Sequence, residues 1–242
     1  MDPGDISHDI LFEDNHLLII NKRSSQIVQG DKTGDEPLSE LLKEFLRIRD
    51  HKPGNVYLGV VHRLDRSVSG AVIFAKTSKA LSRLNQMLKN GEIRKTYWAV
   101  VKNPPHPFQA HLVHYLKRNE EMNKSFAYDR PFDHSRKAEL IYEVVGNSDN
   151  YFLLEILLLT GRHHQIRAQL AKIGCPIKGD VKYGYDRPNR DRSIHLHARK
   201  IELVHPVKKE NLIIYADPPD ETLWKHFLKI CHTPAKNEIS AK

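Results

Sequence analysis

The sequence predicts an α+β fold, because hairpin patterns alternate with a few amphipathic helical patterns along its 242 residues. Between Ala110 and Tyr215, apolar runs are separated by polar turns such as Asn119-Glu120 and Lys208-Lys209-Glu210-Asn211. Such runs are typical of antiparallel strands. Elsewhere, apolar residues recur every three or four positions, which indicates helices.

The first predicted elements are a hairpin and a helix. Ile10–Glu13 and Leu17–Asn21 are apolar runs around a turn at Asp14-Asn15. After Pro37, a residue type that favours the first turn of a helix, apolar residues follow helical spacing. They are Leu38, Leu41, Leu42, Phe45 and Leu46.

Two apolar segments, Val56–Val61 and Ala71–Lys76, are predicted as strands on either side of a polar loop. Thr77 or Ser78 caps the helix that follows, and Asn90-Gly91 ends it. The apolar face of this helix is formed by Leu81, Leu84 and Leu88.

The remaining elements are one more strand, the later hairpins and two helices. Arg94–Val101 is the strand, and alternation puts on one of its faces Tyr97, Ala99 and Val101. A helix among the hairpins ends at Gly174 and Pro176. Its buried face is predicted to hold Ile166, Leu170 and Ile173. The last helix carries Leu223, Trp224, Phe227 and Leu228.

The chain shows no repeat, linker or low-complexity tract that would divide it, so one domain is predicted over residues 10–230. Residues 1–9 and 233–242 are predicted to be flexible termini. The N-terminus is acidic and polar, unlike a signal peptide. The longest apolar run, Tyr151 to Thr160, contains Glu155 and is too short to span a bilayer. We therefore expect a cytoplasmic monomer without a membrane partner.

Charge and cysteine content narrow the class of partner. The formal net charge is +8, which favours a polyanionic partner such as nucleic acid. The two cysteines, Cys175 and Cys231, lack the spacing of a metal site, and so few argue against a disulfide scaffold.

The most informative segment is residues 62–70, which read HRLDRSVSG. It places the carboxylate of Asp65 between the guanidinium groups of Arg63 and Arg66, in a loop between two apolar segments. A turn with exposed charges would explain this composition equally well. A second segment about a hundred residues later favours a functional site: TGRHHQIR at residues 160–167, continued by GCPIKGD at 174–180 and Tyr183-Gly184.

Together with Lys95-Thr96-Tyr97 between them, these segments resemble the RluA-type branch of the pseudouridine synthases. The resemblance covers roughly residues 10 to 218, in the family's order and spacing. Two positions depart from its pattern. Val68 lies where a threonine is usual, and Leu140 replaces the threonine of an A-x-T-x-Y element.

The resemblance implies one catalytic domain built on a long mixed, mainly antiparallel sheet flanked by helices. It implies isomerisation of specific uridines in rRNA or tRNA to pseudouridine. No cofactor or metal is expected, because the reaction contains no redox or phosphate-transfer step. Some relatives carry a small N-terminal RNA-binding domain, and here only nine residues precede the first predicted strand, so we expect it to be absent.

Three residues are candidates for the chemistry. Asp65 matches the family's catalytic carboxylate, acting as nucleophile or base on the sugar or the uracil. Arg167, matched to the second arginine of the later motif, is the candidate that keeps Asp65 ionised. Tyr97 offers a flat face for stacking and a hydroxyl for proton transfer. An exposed helical arginine and a core tyrosine are the simpler readings of Arg167 and Tyr97.

Four further residues are candidates for RNA binding. Arg63 is placed to contact phosphate or to fill the gap that a flipped nucleotide leaves. Arg162, His163 and Gln165 lie near a predicted helix N-terminus, where backbone amides favour phosphate. Solvated surface residues would explain the same positions.

Two other functions stay open at this point. One is a non-catalytic RNA-binding or ribosome-assembly protein on the same fold, against which the set of Asp65, Tyr97 and Arg167 argues. The other is a metal-dependent hydrolase, suggested by fifteen histidines. The sequence contains no H-E-x-x-H or C-x-x-C motif, which disfavours a metal site.

Overall fold

The computed structural model describes residues 6–31, 34–231 and 237–240 and divides into two compact units. The first unit contains the described residues of Met1–Ile93, Ala198–Pro218 and Pro234–Lys242, and the second contains Arg94–His197 and Pro219–Thr233. The single domain predicted for residues 10–230 stays an expectation, and each unit is described by itself.

The first unit begins with a short 3₁₀ turn at Ser7–Asp9, where a flexible terminus was expected. The predicted hairpin is confirmed, with β1 (Ile10–Glu13) antiparallel to β2 (Leu17–Lys22). The Asp14 carboxylate fixes its turn by accepting hydrogen bonds from the backbone amides of His16, at 2.7 Å, and Leu17, at 2.9 Å. This Asx-type turn explains why the chain reverses there.

The strand β4 (Ser69–Ala75) lies in the middle of this sheet. It pairs antiparallel with all six residues of β2 on one side. On its other side it adjoins a two-residue strand, β3 (Gly59–Val60), and β10 (Leu196–Val204). The strand predicted over Val56–Val61 is therefore shorter than expected, because β3 and β10 share one edge of β4.

Gly70 in β4 makes the approach of β10 possible. Its φ is +117°, and a Cβ added there would lie 2.4 Å from the backbone nitrogen of Ala198 and 2.5 Å from its oxygen. Real Cβ atoms do not approach backbone atoms so closely, so only glycine fits at this position.

The remaining strands of the first unit extend from β10. β11 (Asn211–Tyr215) pairs antiparallel with β10, and β12 (Glu238–Ser240) pairs antiparallel with β11. Within the predicted flexible tail, residues 238–240 pair with β11, and the Asn237 side chain bonds the Tyr215 amide and the Leu11 carbonyl. The flexibility of the tail stays a prediction. Residues 232–236 and 241–242 lie outside the described residues.

Two helices pack in the first unit, α1 (Leu38–Arg49) and α2 (Ser78–Lys89). As predicted, Thr77 caps α2, its hydroxyl accepting from the Ala80 amide at 3.1 Å. Leu84 of α2 reaches the apolar core between helix and sheet. Other buried members of this core are Leu17, Ile19, Ala71, Ile73, Ile201 and Ile214.

The second unit is built on one antiparallel sheet. Its strands are β5 (Arg94–Val101), β6 (Gln109–Asn119), β7 (Lys124–Tyr128), β8 (Arg136–Asn147) and β9 (Phe152–Leu158), in the order β5-β9-β8-β6-β7. β5 has the bounds predicted from the sequence, and the antiparallel pattern of the later strands is confirmed.

A helix packs on each face of this sheet. α3 (Gln165–Lys172) contributes Ala168 to a core with Leu116 and Ala138. α4 (Thr222–Ile230) packs on the opposite face, where Trp224 and Phe227 meet Trp98, Val100 and Leu153. Strand register puts Tyr97 on the α3 face. Tyr97 pairs with Ile156, Ile156 with Tyr142, and Tyr142 with Ala110. Tyr142 and Ala110 share their face with Ala138 and Leu116, which pack against α3.

The α+β class is confirmed by these helices and mainly antiparallel strands. The two departures from the family pattern both lie in the apolar interior: Val68 is 2% exposed and Leu140 in β8 is fully buried. Over the described ranges, the helices are too short or too polar to cross a membrane.

Candidate functional site

The predicted site residues fall into both units. Asp65 and Arg63 belong to the first unit, on the loop between β3 and β4, which we call the acidic loop (residues 62–68). Tyr97 and Arg167 belong to the second unit, as do the candidates Arg162, His163 and Gln165.

The acidic loop is a tight turn with buried apolar anchors. Leu64 and Val68 point inward, and the Val68 amide donates to the Asp65 carbonyl at 3.0 Å. Between these anchors the Asp65 side chain is partly exposed, and Arg63 is exposed. The loop therefore presents a carboxylate and a guanidinium at the surface of the first unit while its backbone is fixed.

Lys22, which no sequence motif indicates, lies beneath the acidic loop at the end of β2 and is fully buried. Its ammonium donates to the carbonyls of Arg23 and Gln26, each at 2.9 Å, and more weakly to the carbonyl of Arg66 at 3.4 Å. The Ser25 amide donates to the same Arg66 carbonyl at 2.8 Å. These bonds tie the segment after β2 to the acidic loop. The sequence signal was a lysine that ends an apolar strand.

Burial has a large effect on the pKa of Lys22. Desolvation lowers its pKa to about 7, the nearby Asp65 carboxylate raises it in part, and Arg66 lowers it further. The hydrogen bonds from Lys22 to the carbonyls of Arg23 and Gln26, with the weaker one to Arg66, offset part of the cost of burying this charge.

We predict a pH dependence of stability from this lysine. Below pH 7 the destabilisation from its buried charge is fully present. Between pH 7 and about 10.4, the ordinary lysine pKa, the unfolded chain holds the extra proton, so the free energy of unfolding rises with pH. The slope approaches about 1.4 kcal/mol per pH unit. Urea unfolding at pH 7, 8 and 9 should show this rise relative to Lys22→Met.

The control for that experiment is Lys79→Met, which removes an exposed lysine of α2. It should unfold with the wild-type pH dependence. Parallel pH profiles for wild type and Lys22→Met would contradict the assignment.

Tyr97 lies in β5, 6% exposed, on the face of the second unit's sheet that α3 covers. Lys95, two positions earlier, shares that face, and burial lowers its pKa. A Cβ added at Gly161 would lie 3.8 Å from the Lys95 ammonium, so Lys95 reaches the loop that leads into α3. The K-x-Y element thus presents a partly buried ammonium and a buried tyrosine on one face of β5.

Arg167 forms a buried, two-pronged ion pair with Asp180. Its Nε lies 2.7 Å from Oδ2, and its Nη2 lies 2.8 Å from Oδ1. Both side chains are nearly inaccessible, at 7% and 1%. Within the second unit, Arg167 is therefore held rigidly from α3. Its predicted effect on Asp65 stays a prediction.

Tyr183, part of the later motif but without a predicted role, organises the surroundings of Arg167. The Arg167 guanidinium lies 4.9 Å from the centre of its ring. Its hydroxyl accepts from the Ser125 amide at 2.8 Å and bonds His164 Nδ1 at 3.0 Å. The tyrosine thereby connects α3 to β7.

Gln165 begins α3 and is 3% exposed. Its Oε1 accepts from the Thr160 hydroxyl at 2.7 Å and from the Arg162 amide at 3.0 Å, while its Nε2 donates to the Glu139 carbonyl at 3.0 Å. The described contacts of its amide are therefore to the protein, and they shape residues 160–165. Its predicted contact with RNA stays untested.

Arg162 and His163 lie on the loop that Gln165 shapes. Arg162 is exposed, and its Nε donates to the Lys137 carbonyl at 3.1 Å. His163 bonds the Ser125 hydroxyl at 2.9 Å and stacks on His164, with ring centres 3.8 Å apart. His164 has a φ of +51°, so the chain turns sharply into α3 and presents Arg162 outward.

No group of three His, Cys, Asp or Glu side chains suited to a metal ion occurs within the described ranges. Several described histidines of the second unit have other partners. For example, His195 stacks on Trp224 and lies 2.7 Å from a Glu221 oxygen.

Comparisons with known proteins agree on one family. A family model described as RNA pseudouridylate synthase matches residues 16–172. The ribosomal large subunit pseudouridine synthase C of Buchnera aphidicola subsp. Baizongia pistaciae is 33% identical over 229 residues, covering 91% of this chain and 69% of that protein. The uncharacterized RNA pseudouridine synthase YhcT of Bacillus subtilis is 32% identical over 221 residues, covering 87% and 68%.

A solved structure has the same fold. Human RNA Pseudouridylate Synthase Domain Containing 4 superposes with a TM-score of 0.76 at 21% identity, covering 97% of each chain.

Proposed function

Because this chain belongs to the RNA pseudouridylate synthase family and is therefore an isomerase that acts on RNA, we propose that its substrate is ribosomal RNA and that Asp65 begins the reaction. The RluA-type resemblance is confirmed by the relative named synthase C and by the ribosomal large subunit pseudouridine synthase D of Zymomonas mobilis subsp. mobilis, 27% identical over 230 residues. The single observation that carries the Asp65 assignment is the acidic loop: a partly exposed carboxylate on a backbone held by the Val68 and Ser25 amides and, more weakly, by Lys22.

The proposed reaction breaks the bond between C1′ of the ribose and N1 of uracil, and forms a bond from C1′ to C5. N1 gains a proton and C5 loses one, so nothing else is consumed or released. Asp65, as a carboxylate, attacks either the sugar or the base, or removes a proton. Its fixed loop keeps the oxygen atoms in place during the rotation of the detached uracil.

Tyr97 is proposed to stack on the uracil and to take part in moving the C5 proton. Arg63 and Arg162, both exposed, supply guanidinium groups for phosphate. His163 and Gln165 are proposed to assist in the same RNA contact, and Gln165 does so by shaping the loop that carries Arg162.

The substrate assignment is supported by the names of four matched relatives, which specify the large ribosomal subunit. Transfer RNA is the alternative substrate. The non-catalytic RNA-binding reading is disfavoured by membership of a synthase family. We also propose that the protein acts as a monomer in the cytoplasm, without a cofactor or metal.

Mapping pseudouridine in total RNA tests the substrate. Cells with and without the gene are compared, and a site in large-subunit ribosomal RNA should lose its pseudouridine when the gene is deleted. Return of the modification with the wild-type gene, but not with an Asp65→Asn copy, ties it to this protein. Loss of a site in transfer RNA alone would overturn the ribosomal assignment.

We predict that Tyr97→Phe binds RNA with near wild-type affinity but forms product more slowly in a single turnover. The ring face remains for stacking, while the hydroxyl that moves the proton is lost. We expect a decrease of about 10²-fold or more, as for other positioned acid–base groups. Saturating enzyme and a binding titration separate the two effects. An unchanged single-turnover rate would leave Tyr97 as a stacking platform only.

A further inference from the structure

The outer side of the β6–β7 hairpin carries a cluster of exposed aromatic rings. Tyr115 pairs with Tyr128 across the two strands, and Phe126 lies two positions away on the same face. Phe132 follows in the next loop and meets Tyr128 edge to face, with ring centres 4.5 Å apart. We call these four residues the aromatic face.

The rings are far more accessible than aromatic side chains usually are. Phe126 is 37% exposed, Tyr128 43% and Phe132 39%, while Tyr115 is partly exposed. Single exposed apolar residues are common on proteins, but a contiguous group of rings marks a binding surface.

Ammonium groups lie against these rings. Lys117 Nζ is 5.5 Å from the centre of the Phe132 ring, and Lys124 Nζ is 5.4 Å from that of Phe126. Among the described residues, no carboxylate lies within ion-pair distance of Lys117 or Lys124. The aromatic face therefore combines flat apolar rings with positive charges that have not been neutralised by a carboxylate.

We propose that the aromatic face stacks unpaired nucleobases of the RNA substrate, with Lys117 and Lys124 at the phosphates between them. Base stacking on aromatic side chains flanked by cations is how proteins hold single-stranded RNA. A protein partner that covered the rings with apolar groups would leave both ammonium groups buried and unpaired, which is costly. The net charge of +8 agrees with a polyanionic occupant.

The aromatic rings of this surface lie away from Tyr97, while Lys124 Nζ also lies 5.0 Å from the centre of the Tyr183 ring. Tyr115 lies on the sheet face opposite Tyr97, because Tyr97 shares its face with Ala110 and alternate residues of β6 point the other way. On the Tyr115 side, α4 packs over Trp98 near the other end of the sheet. The bases bound here are therefore not the target uridine, and the surface lengthens the stretch of RNA that the enzyme holds.

The inference rests on the proposed function in one respect, that the substrate is RNA. It is tested with the full chain by fluorescence anisotropy, using a labelled single-stranded oligouridine of about 15 nucleotides, within the usual range of site sizes. We expect the double variant Phe126→Ala/Tyr128→Ala to raise the Kd about tenfold or more. Phe126→Tyr should retain wild-type affinity, because it keeps the ring.

The matched control is Phe108→Ala. This phenylalanine of the second unit is 54% exposed and lies against His106, outside the aromatic face. It should leave the affinity nearly unchanged. Thermal melting of each variant verifies the fold, which removal of exposed rings should not disturb.

An unchanged Kd in the double variant would overturn the proposal. Sedimentation velocity tests whether a second copy of the chain occupies this face instead. If the wild type forms dimers that the double variant abolishes while RNA affinity stays intact, the face is a contact between copies. Failure of the proposed function is recognised separately, since it appears as the absence of pseudouridine formation by the wild type whatever the Kd values are.

Discussion

Asp65→Asn is expected to reduce pseudouridine formation by more than about a thousandfold, because the reaction then lacks its only proposed carboxylate. Asparagine has nearly the same shape, and the loop backbone is fixed by bonds that do not involve the Asp65 side chain. The Val68 amide still finds the residue-65 carbonyl, and Lys22 still holds the Arg66 carbonyl. The fold and most of the RNA affinity should therefore remain.

The measurement is single-turnover conversion of ribosomal RNA, with anisotropy to follow binding. Asp35→Asn serves as the control, since Asp35 is a carboxylate of the same unit that pairs with Arg66 of the acidic loop. It should turn over near the wild-type rate. Turnover close to wild type in Asp65→Asn would remove Asp65 from the mechanism, while loss of activity in both variants would point to the loop conformation instead.

Arg167→Met is expected to destabilise the protein by about 3–5 kcal/mol, because it leaves the buried Asp180 carboxylate without its cation. For a chain of this size, a loss of that order lowers the Tm by roughly ten degrees. Asp180→Asn should cost a similar amount for the converse reason. The double variant Arg167→Met/Asp180→Leu replaces the pair by apolar groups and should recover much of the Tm.

The activity of the double variant shows whether Arg167 has a role in the reaction besides its ion pair with Asp180. If Arg167 keeps Asp65 ionised, as the family match implies, the double variant stays inactive although it is stable. Its residual rate should then depend on pH differently from that of the wild type. Recovery of activity together with the Tm would show that Arg167 only supports α3.

Local patterns in the sequence predicted the elements whose boundaries depend on nearby residues. The bounds of β5 and the Thr77 cap of α2 are correct because alternation and capping involve neighbours in the chain. β3 was predicted too long and β12 was missed. Their lengths depend on which distant strand is free to pair, and that information is not local.

The candidate site shows the same division. Motif residues such as Asp65 were found because the resemblance points to them. Lys22 and Tyr183 were not assigned roles, although each holds several groups together. Lys22 bonds carbonyls one and four positions away and, more weakly, that of Arg66, 44 positions away. Tyr183 bonds Ser125, 58 positions away. No spacing rule predicts the distant contacts.

The first unit is built from segments that are distant in the sequence, and this affects how it folds during synthesis on the ribosome. Its residues up to Ile93 emerge early, but β4 meets Ala198 of β10 through Gly70 only after more than a hundred further residues have been made. Such distant pairing slows folding, and the second unit's segment Arg94–His197, whose strands pair among themselves, is complete first. The strand β4 therefore has one edge without β10 until nearly the whole chain has been synthesised. Truncation before Ala198 would leave it exposed to aggregation and to proteolysis.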